Sequence, residues 1–175
     1  MQEKGFAGIS VQQLADTLEF SKANFFYHLK SKEELLYHIF VENLEYTIRA
    51  LEQIIGSDAG HAEKLRRLVA FYARMMIERH QIMTVWFRER GHLTPEHEKE
   101  VDKLHRRIDT MLDPFYAEAI AKGVIRPLDP RIVRTVVFGT TFNLTRWTER
   151  LSDLPIETIV EQVTQYATAG LLVND

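Results

Sequence analysis

Apolar residues recur along this chain at helical spacing, and hardly any stretch alternates in the manner of a strand. Val11, Leu14, Ala15 and Leu18 follow the i, i+3, i+4, i+7 rule behind Ser10-Val11-Gln12-Gln13, a capping box in which a serine and a glutamine satisfy free amides at a helix start. Ser21 opens a short second helix with Phe25 and Leu29 on one face. Ser31, followed three residues later by Glu34, is a further capping box. The helix it starts runs to about residue 55, where Gly56-Ser57-Asp58-Ala59-Gly60 stops it. The pattern continues over 62–79 and 81–90, the latter closed by Gly91. Thr94-Pro95 pairs a cap with proline at the first helical position, starting a helix that reaches Lys122 before Gly123 ends it. Asp129-Pro130 repeats that signal for a helix over 131–151, and after Pro155 a last helix extends to about residue 172. The fold class is therefore all-α, with neither an internal repeat nor a low-complexity segment.

The first two helices, joined by Glu19-Phe20-Ser21, make a helix-turn-helix. In such a pair the second helix enters the major groove of DNA while the first crosses the backbone. Lys22, Asn24 and His28 point away from the Phe25/Leu29 face and carry donors suited to base edges and phosphates. Formal net charge is only −3, which speaks against a protein that coats nucleic acid without regard to sequence. Lys22, Lys30 and Lys32 nevertheless concentrate positive charge on one small surface. The candidate DNA-contacting set is Gln12, Lys22, Ala23, Asn24, Phe26, Tyr27, His28, Lys30 and Lys32.

The run from Glu3-Lys4-Gly5-Phe6 through Leu36 resembles the DNA-binding domain of the TetR family of transcriptional regulators: a Ser-Lys start, an aromatic centre, a histidine near the helix end and a Lys-Ser-Lys-Glu-Glu-Leu-Leu exit. Two features depart from that pattern. Only Gln2-Glu3-Lys4 precedes the Gly5 that ends the family's first helix, so that helix is mostly missing. Phe26 stands where many members carry a tyrosine; it can touch a thymine methyl but cannot donate to a phosphate. The resemblance implies a helix-turn-helix head over 1–36 and a helical body over 37–175 that binds an effector and dimerises, giving a repressor that holds double-stranded operator DNA as a homodimer.

The absence of cysteine removes disulfides and thiolate metal sites, and no stretch of eighteen apolar residues or apolar leader occurs. The expected location is the cytoplasm, without membrane contact, catalysis, metal or resident cofactor.

Within the body, Phe71, Met75, Met76, Trp86, Phe87, Phe115, Tyr116, Phe138, Phe142 and Trp147 form an aromatic and methionine-rich set. These residues are either plain core or the lining of an elongated apolar cavity, with Asn143 as a polar anchor. The stretch Phe87 to His97, the Gly123-Val124-Ile125-Arg126 turn and Asn143 with Arg146-Trp147 resemble the C-terminal domain of TetR-type regulators of fatty acid and steroid degradation, many of which respond to acyl-coenzyme A thioesters. That resemblance implies a hydrophobic effector, either a fatty acyl-CoA or a different apolar molecule. Arg88, Arg90, Arg106, Arg107 and Arg146 are candidates for the phosphates, or else pair with Glu89, Asp109 and Glu149.

Val133, Val137 and Leu144, with Val160, Val163, Ala167 and Leu171, form stripes on the last two helices that either face inward or pair two protomers in a four-helix bundle; small residues on the final helix favour the pairing. A helical metalloprotein or enzyme is the competing class. Its support is one Glu89-x-x-His92 pair and the Glu98, Asp102, His105 row, which also suits a solvated face. A helical adaptor without DNA binding leaves the outward residues of the Ser21 helix unexplained.

Overall fold

A computed structural model describes residues 31–173. The helix α1, Lys32–Gly56, is capped by Ser31, whose hydroxyl accepts from the Glu34 amide at 3.1 Å. Its last carbonyls are taken up by side chains, Ser57 Oγ on Ile54 at 2.8 Å and Lys64 Nζ on Ile55 at 2.7 Å. After the loop comes α2, His61–Glu78, then a bend at Arg79 and α3, His80–Glu89, which runs into a 3₁₀ turn over Arg90–His92. The guanidinium of Arg79 lies 3.9 Å from the centre of the Tyr46 ring, fixing the bend against α1.

The longest helix, α4 at Pro95–Ala121, starts as the Thr94-Pro95 signal dictates, with the threonine hydroxyl accepting from the His97 amide at 3.3 Å. It stops at Gly123, whose φ of 67° is the left-handed conformation that glycine adopts without a Cβ clash. Asp129 caps α5, Pro130–Phe142, accepting from the Arg131 amide at 2.9 Å. The uninterrupted helix expected over 131–151 does not form. Its chain breaks at Asn143 into a single turn α6, Leu144–Trp147, and a 3₁₀ turn, Thr148–Leu151. Hydroxyls at Thr141, Thr145 and Thr148 each bond to a carbonyl three or four residues back, competing for acceptors that a straight helix would use. The final helix α7 spans Ile156–Ala169, and beyond it Leu172 forms an antiparallel bridge with Ile125 that ties the C-terminal end to the loop after α4.

Leucine, isoleucine and aromatic side chains from every long helix meet in one core, in which Leu35, Phe40, Leu51, Leu65, Leu68, Met76 and Tyr116 are fully buried. The helix α2 packs most broadly on α7, and α1 on α4, with α5 set against both α2 and α4. Among the described residues no helix is long and apolar enough to cross a membrane.

Candidate functional site

Between α1, α2, α3, α4 and α5 lies a cavity of about 330 Å³. On α4 its lining is His105, Ile108, Asp109, Leu112 and Tyr116, one stripe of the helix, because such steps return to the same face. Asn43, Leu44 and Thr47 enter from α1, Tyr72 and Met75 from α2, Met83 and Trp86 from α3, and Arg134, Thr135, Phe138 and Gly139 from α5. Thr135 and Gly139 are exposed while most of the other lining is buried, so the cavity opens along α5.

Polar atoms interrupt these apolar walls. Thr47 donates to the Asn43 carbonyl at 2.9 Å and approaches Met75 Sδ at 3.4 Å; Asn43 Nδ2 faces Met83 Sδ at 3.7 Å, a weak acceptor. Arg134 is held between two carboxylates, pairing with Asp109 and lying 3.3 Å from Asp113 Oδ1. Its charge is thereby already neutralised. Three buried atoms on the lining have no hydrogen-bond partner among the described residues: Asn43 Oδ1, His105 Nε2 and the Tyr116 hydroxyl. Burial raises the Tyr72 and Tyr116 hydroxyls well above the ordinary phenol range, so both stay protonated.

Burial pushes the imidazole of His105 down to about 4 from its ordinary 6.5, helped by the positive charge of Arg90 and opposed by Asp102. Neutral in the fold, His105 takes up a proton on unfolding at any pH between those values, so the protein loses stability as pH falls from about 6.5 to about 4. The full loss is roughly 3 kcal/mol. Replacing His105 by glutamine should flatten melting temperature against pH across that window; an unchanged slope would remove His105 as its source.

Of the aromatic, methionine and polar residues singled out in the sequence as cavity lining, Met75, Trp86, Tyr116 and Phe138 lie on the cavity wall. The others lie elsewhere. Met76 is buried in the core, Phe71 sits against Tyr46 and Tyr72 at ring distances of 5.8 and 5.5 Å, and Phe115 stacks on His61 at 5.7 Å. Phe87, half exposed, meets Phe142 at 4.1 Å. Arg88, near the end of α3, is exposed, and so are Asn143, Arg146 and Trp147, since the helix carrying Phe138 ends at Phe142 and its periodicity does not continue through them. Asn43, Thr47 and, apart from Tyr116, the α4 stripe were missed as lining; polar residues at apolar positions of α1 were the visible signal for the first two.

The dimer stripe needs a correction. Val133, Val137, Leu144, Val160, Ala167 and Leu171 are buried within the protomer, and Val163 is partly buried against the same core. The inward-facing alternative is the one the structure adopts. What α5 and α7 expose instead is Ile132, Val136, Ile156 and Tyr166.

Gln12, Lys22, Ala23, Asn24, Phe26, Tyr27, His28 and Lys30 lie outside the described residues, as does the expectation about the first helix. Lys32 is the first residue of α1 and partly buried. Next to it, Glu33 accepts from the Thr94 amide at 2.9 Å and lies 2.7 Å from His97 Nδ1, while Tyr37 stacks on His97 at 3.8 Å. Burial pushes the Glu33 carboxyl up, but the Thr94 amide and His97 outweigh it and hold it below the ordinary range. This cluster fastens the start of α1 to the start of α4.

No group of three metal-ligating side chains exists among the described residues; Asp102 is engaged by Arg90, and the His105 ring lies 5.0 Å from that of Trp86.

Comparison with known proteins adds the following. Residues 58–171 match the model described as tetracyclin repressor-like, C-terminal domain, and residues 1–39 that of bacterial regulatory proteins, tetR family. The chain is 24% identical over 139 residues to the fatty acid metabolism regulator protein of Bacillus subtilis (strain 168), covering 79% of this chain and 72% of that one. It is 22% identical over 171 residues to the HTH-type transcriptional repressor KstR2 of Mycolicibacterium smegmatis, covering 97% and 83%. Among solved structures, the transcriptional regulator FadR from Bacillus subtilis in complex with stearoyl-CoA superposes with a TM-score of 0.68 at 22% identity, covering 96% and 91% of the two chains.

Proposed function

The chain belongs to the TetR family of bacterial transcriptional regulators, and from that premise we propose that it is a dimeric repressor whose operator grip is released by a hydrophobic effector, a fatty acyl-CoA, held in the cavity of the body. The head, residues 1–36, contacts DNA through the lysines and polar residues of its helix-turn-helix, and residues 37–175 form the sensing and pairing part. The observation that carries the effector reading is the largely apolar cavity walled by five helices, with a relative named for fatty acid metabolism and a structural neighbour solved with stearoyl-CoA. The role is one of binding and conformational change, with no catalytic step and no resident cofactor.

An acyl chain fits apolar walls, at roughly 0.8 kcal/mol per buried methylene, and a coenzyme A moiety needs cations outside. Arg106 stands one turn before Asp109, near the mouth, and is exposed. Arg88 and Arg146 are exposed as well, and none of these three has an ion-pair partner among the described residues. Arg90 and Arg107 are less suited, being paired with Asp102 and Glu52. For dimerisation, Ile132 and Val136, one turn apart on α5, and Tyr166 on α7 supply an exposed apolar face for a two-fold bundle.

The test is operator release. A DNA fragment selected by the protein from a genomic pool should bind in an anisotropy titration and dissociate on addition of micromolar stearoyl-CoA. Lys30→Ala and Lys32→Ala should each weaken binding to all sequences alike and reduce the salt slope by about one counterion. DNA binding that no acyl-CoA of any chain length alters would keep the repressor and discard the thioester.

A further inference from the structure

We propose that the cavity is built for an elongated apolar molecule carrying a neutral hydrogen-bonding oxygen at each end of its buried part, a hydroxyl toward Asn43 and a hydroxyl or ketone toward Tyr116. The proposal rests on the reading of this cavity as the effector site and names the chemistry of what fills it.

The three atoms without a partner among the described residues sit toward two ends of the cavity. His105 and Tyr116 share the cavity face of α4, and eleven residues of helix separate them by about 16 Å. Asn43 belongs to the His105 end: its amide faces Met83, Trp86 is one turn further along α3, and the Trp86 ring lies 5.0 Å from that of His105. Tyr116 belongs to the other end, where it is close enough to Tyr72 and Asp113 to feel both electrostatically. Leu44, Ile108 and Leu112 line the length between. Between its ends the cavity is walled by apolar side chains and the mutually paired Asp109 and Arg134, and toward either end lies a polar atom without a partner among the described residues.

A buried polar atom left unpaired is costly, and native structures carry few of them. Two of these three atoms belong to side chains almost wholly removed from solvent, Asn43 at 4% exposure and Tyr116 at 0%. A plain hydrocarbon tail would leave them as they are, whereas a hydroxyl at one end can donate to Asn43 Oδ1 and a hydroxyl or carbonyl oxygen at the other can accept from the Tyr116 hydroxyl. The oxygen must be neutral. The Arg134 guanidinium is already shared between Asp109 and Asp113, and the His105 ring is uncharged at pH 7, so a buried carboxylate would find no free positive charge. A hydroxyl donates and accepts, and therefore pairs with the Asn43 amide in either orientation of its oxygen and nitrogen.

The probes are 1-decanol and 1,10-decanediol, which share a chain and differ by one terminal oxygen, titrated calorimetrically into the full chain. The diol is expected to bind at least as tightly as the mono-alcohol, although a second hydroxyl in an apolar pocket without partners would weaken it by tenfold or more. Tyr116→Phe should weaken the diol by about tenfold and leave 1-decanol nearly unchanged, since the mono-alcohol can present its single hydroxyl to the Asn43 end. Asn43→Leu should do the same from the other side. Tyr116→Phe also removes an unpaired buried hydroxyl, so the ligand-free variant should melt roughly 2 to 4 °C higher than the parent. A mono-alcohol that binds more tightly than the diol, a diol unaffected by either variant, or no binding of either alcohol would overturn the proposal. Operator release by acyl-CoA is scored separately: release without diol preference defeats only the present inference, and diol preference without release defeats only the thioester reading.

Discussion

Val136→Glu is expected to leave the protein folded and monomeric, whereas Val137→Glu, one residue along, is expected to prevent folding. The two valines occupy the same helix turn, but Val136 is 42% exposed and Val137 is 1% exposed. At position 137 a carboxylate would enter a core of aliphatic side chains with no cation to pair with, at a cost of several kcal/mol against a total stability of about 5 to 15 kcal/mol. At position 136 the same carboxylate stays in water in the monomer and is buried only when two α5 helices meet, so the penalty falls on association. Sedimentation equilibrium with circular dichroism separates the cases. A Val136→Glu protein that stays dimeric at micromolar concentration, or two variants that behave alike, would refute the assignment of the pairing face to Ile132, Val136 and Tyr166.

Met75→Trp is expected to abolish the response to long-chain effectors while leaving operator binding intact, so that repression becomes permanent. Met75 is 4% exposed and on the cavity wall, with Thr47 against its sulfur, and a larger ring there grows into the cavity rather than into packed core. Excluding about four methylenes of a ligand at roughly 0.8 kcal/mol each removes about 3 kcal/mol, on the order of a hundredfold in affinity. Short acyl chains should be affected least. Calorimetric titration with a chain-length series reads the shift directly, and undiminished affinity for stearoyl-CoA would place the acyl chain elsewhere.

Local signals in the sequence were read with success wherever one residue type has one mechanical effect. Ser31, Thr94 and Asp129 cap the helices they were expected to cap, and Gly123 ends α4 in the left-handed conformation. Interruption of the α5 helix at Asn143 was not visible, because no proline or glycine marks it and the threonine hydroxyls that compete for carbonyls are compatible with a continuous helix. Facing was harder still. Val133 and Val137 lie on one side of α5 and Ile132 and Val136 on the next, all of them apolar, and composition alone does not say which pair meets the protomer's own core. The cavity lining depended on five helices converging, so Asn43 and Thr47 acquired meaning only beside Met83 and Met75.

The fastening of Glu33 to Thr94 and His97 sets the mechanics of α1. This helix follows the helix-turn-helix sequence directly, and its cavity residue Thr47 lies about 22 Å along the axis from Lys32. If a ligand pushed at Thr47 while the Glu33 contacts held the first turn, α1 would turn about Glu33 at the expense of the Glu52–Arg107 pair farther along. A 1 Å outward displacement at the cavity is then a swing of roughly 3°, given the helix rise. Were the fulcrum loosened, the same push would slide α1 over α4 instead of turning it, and a filled cavity would lose its mechanical connection to the DNA.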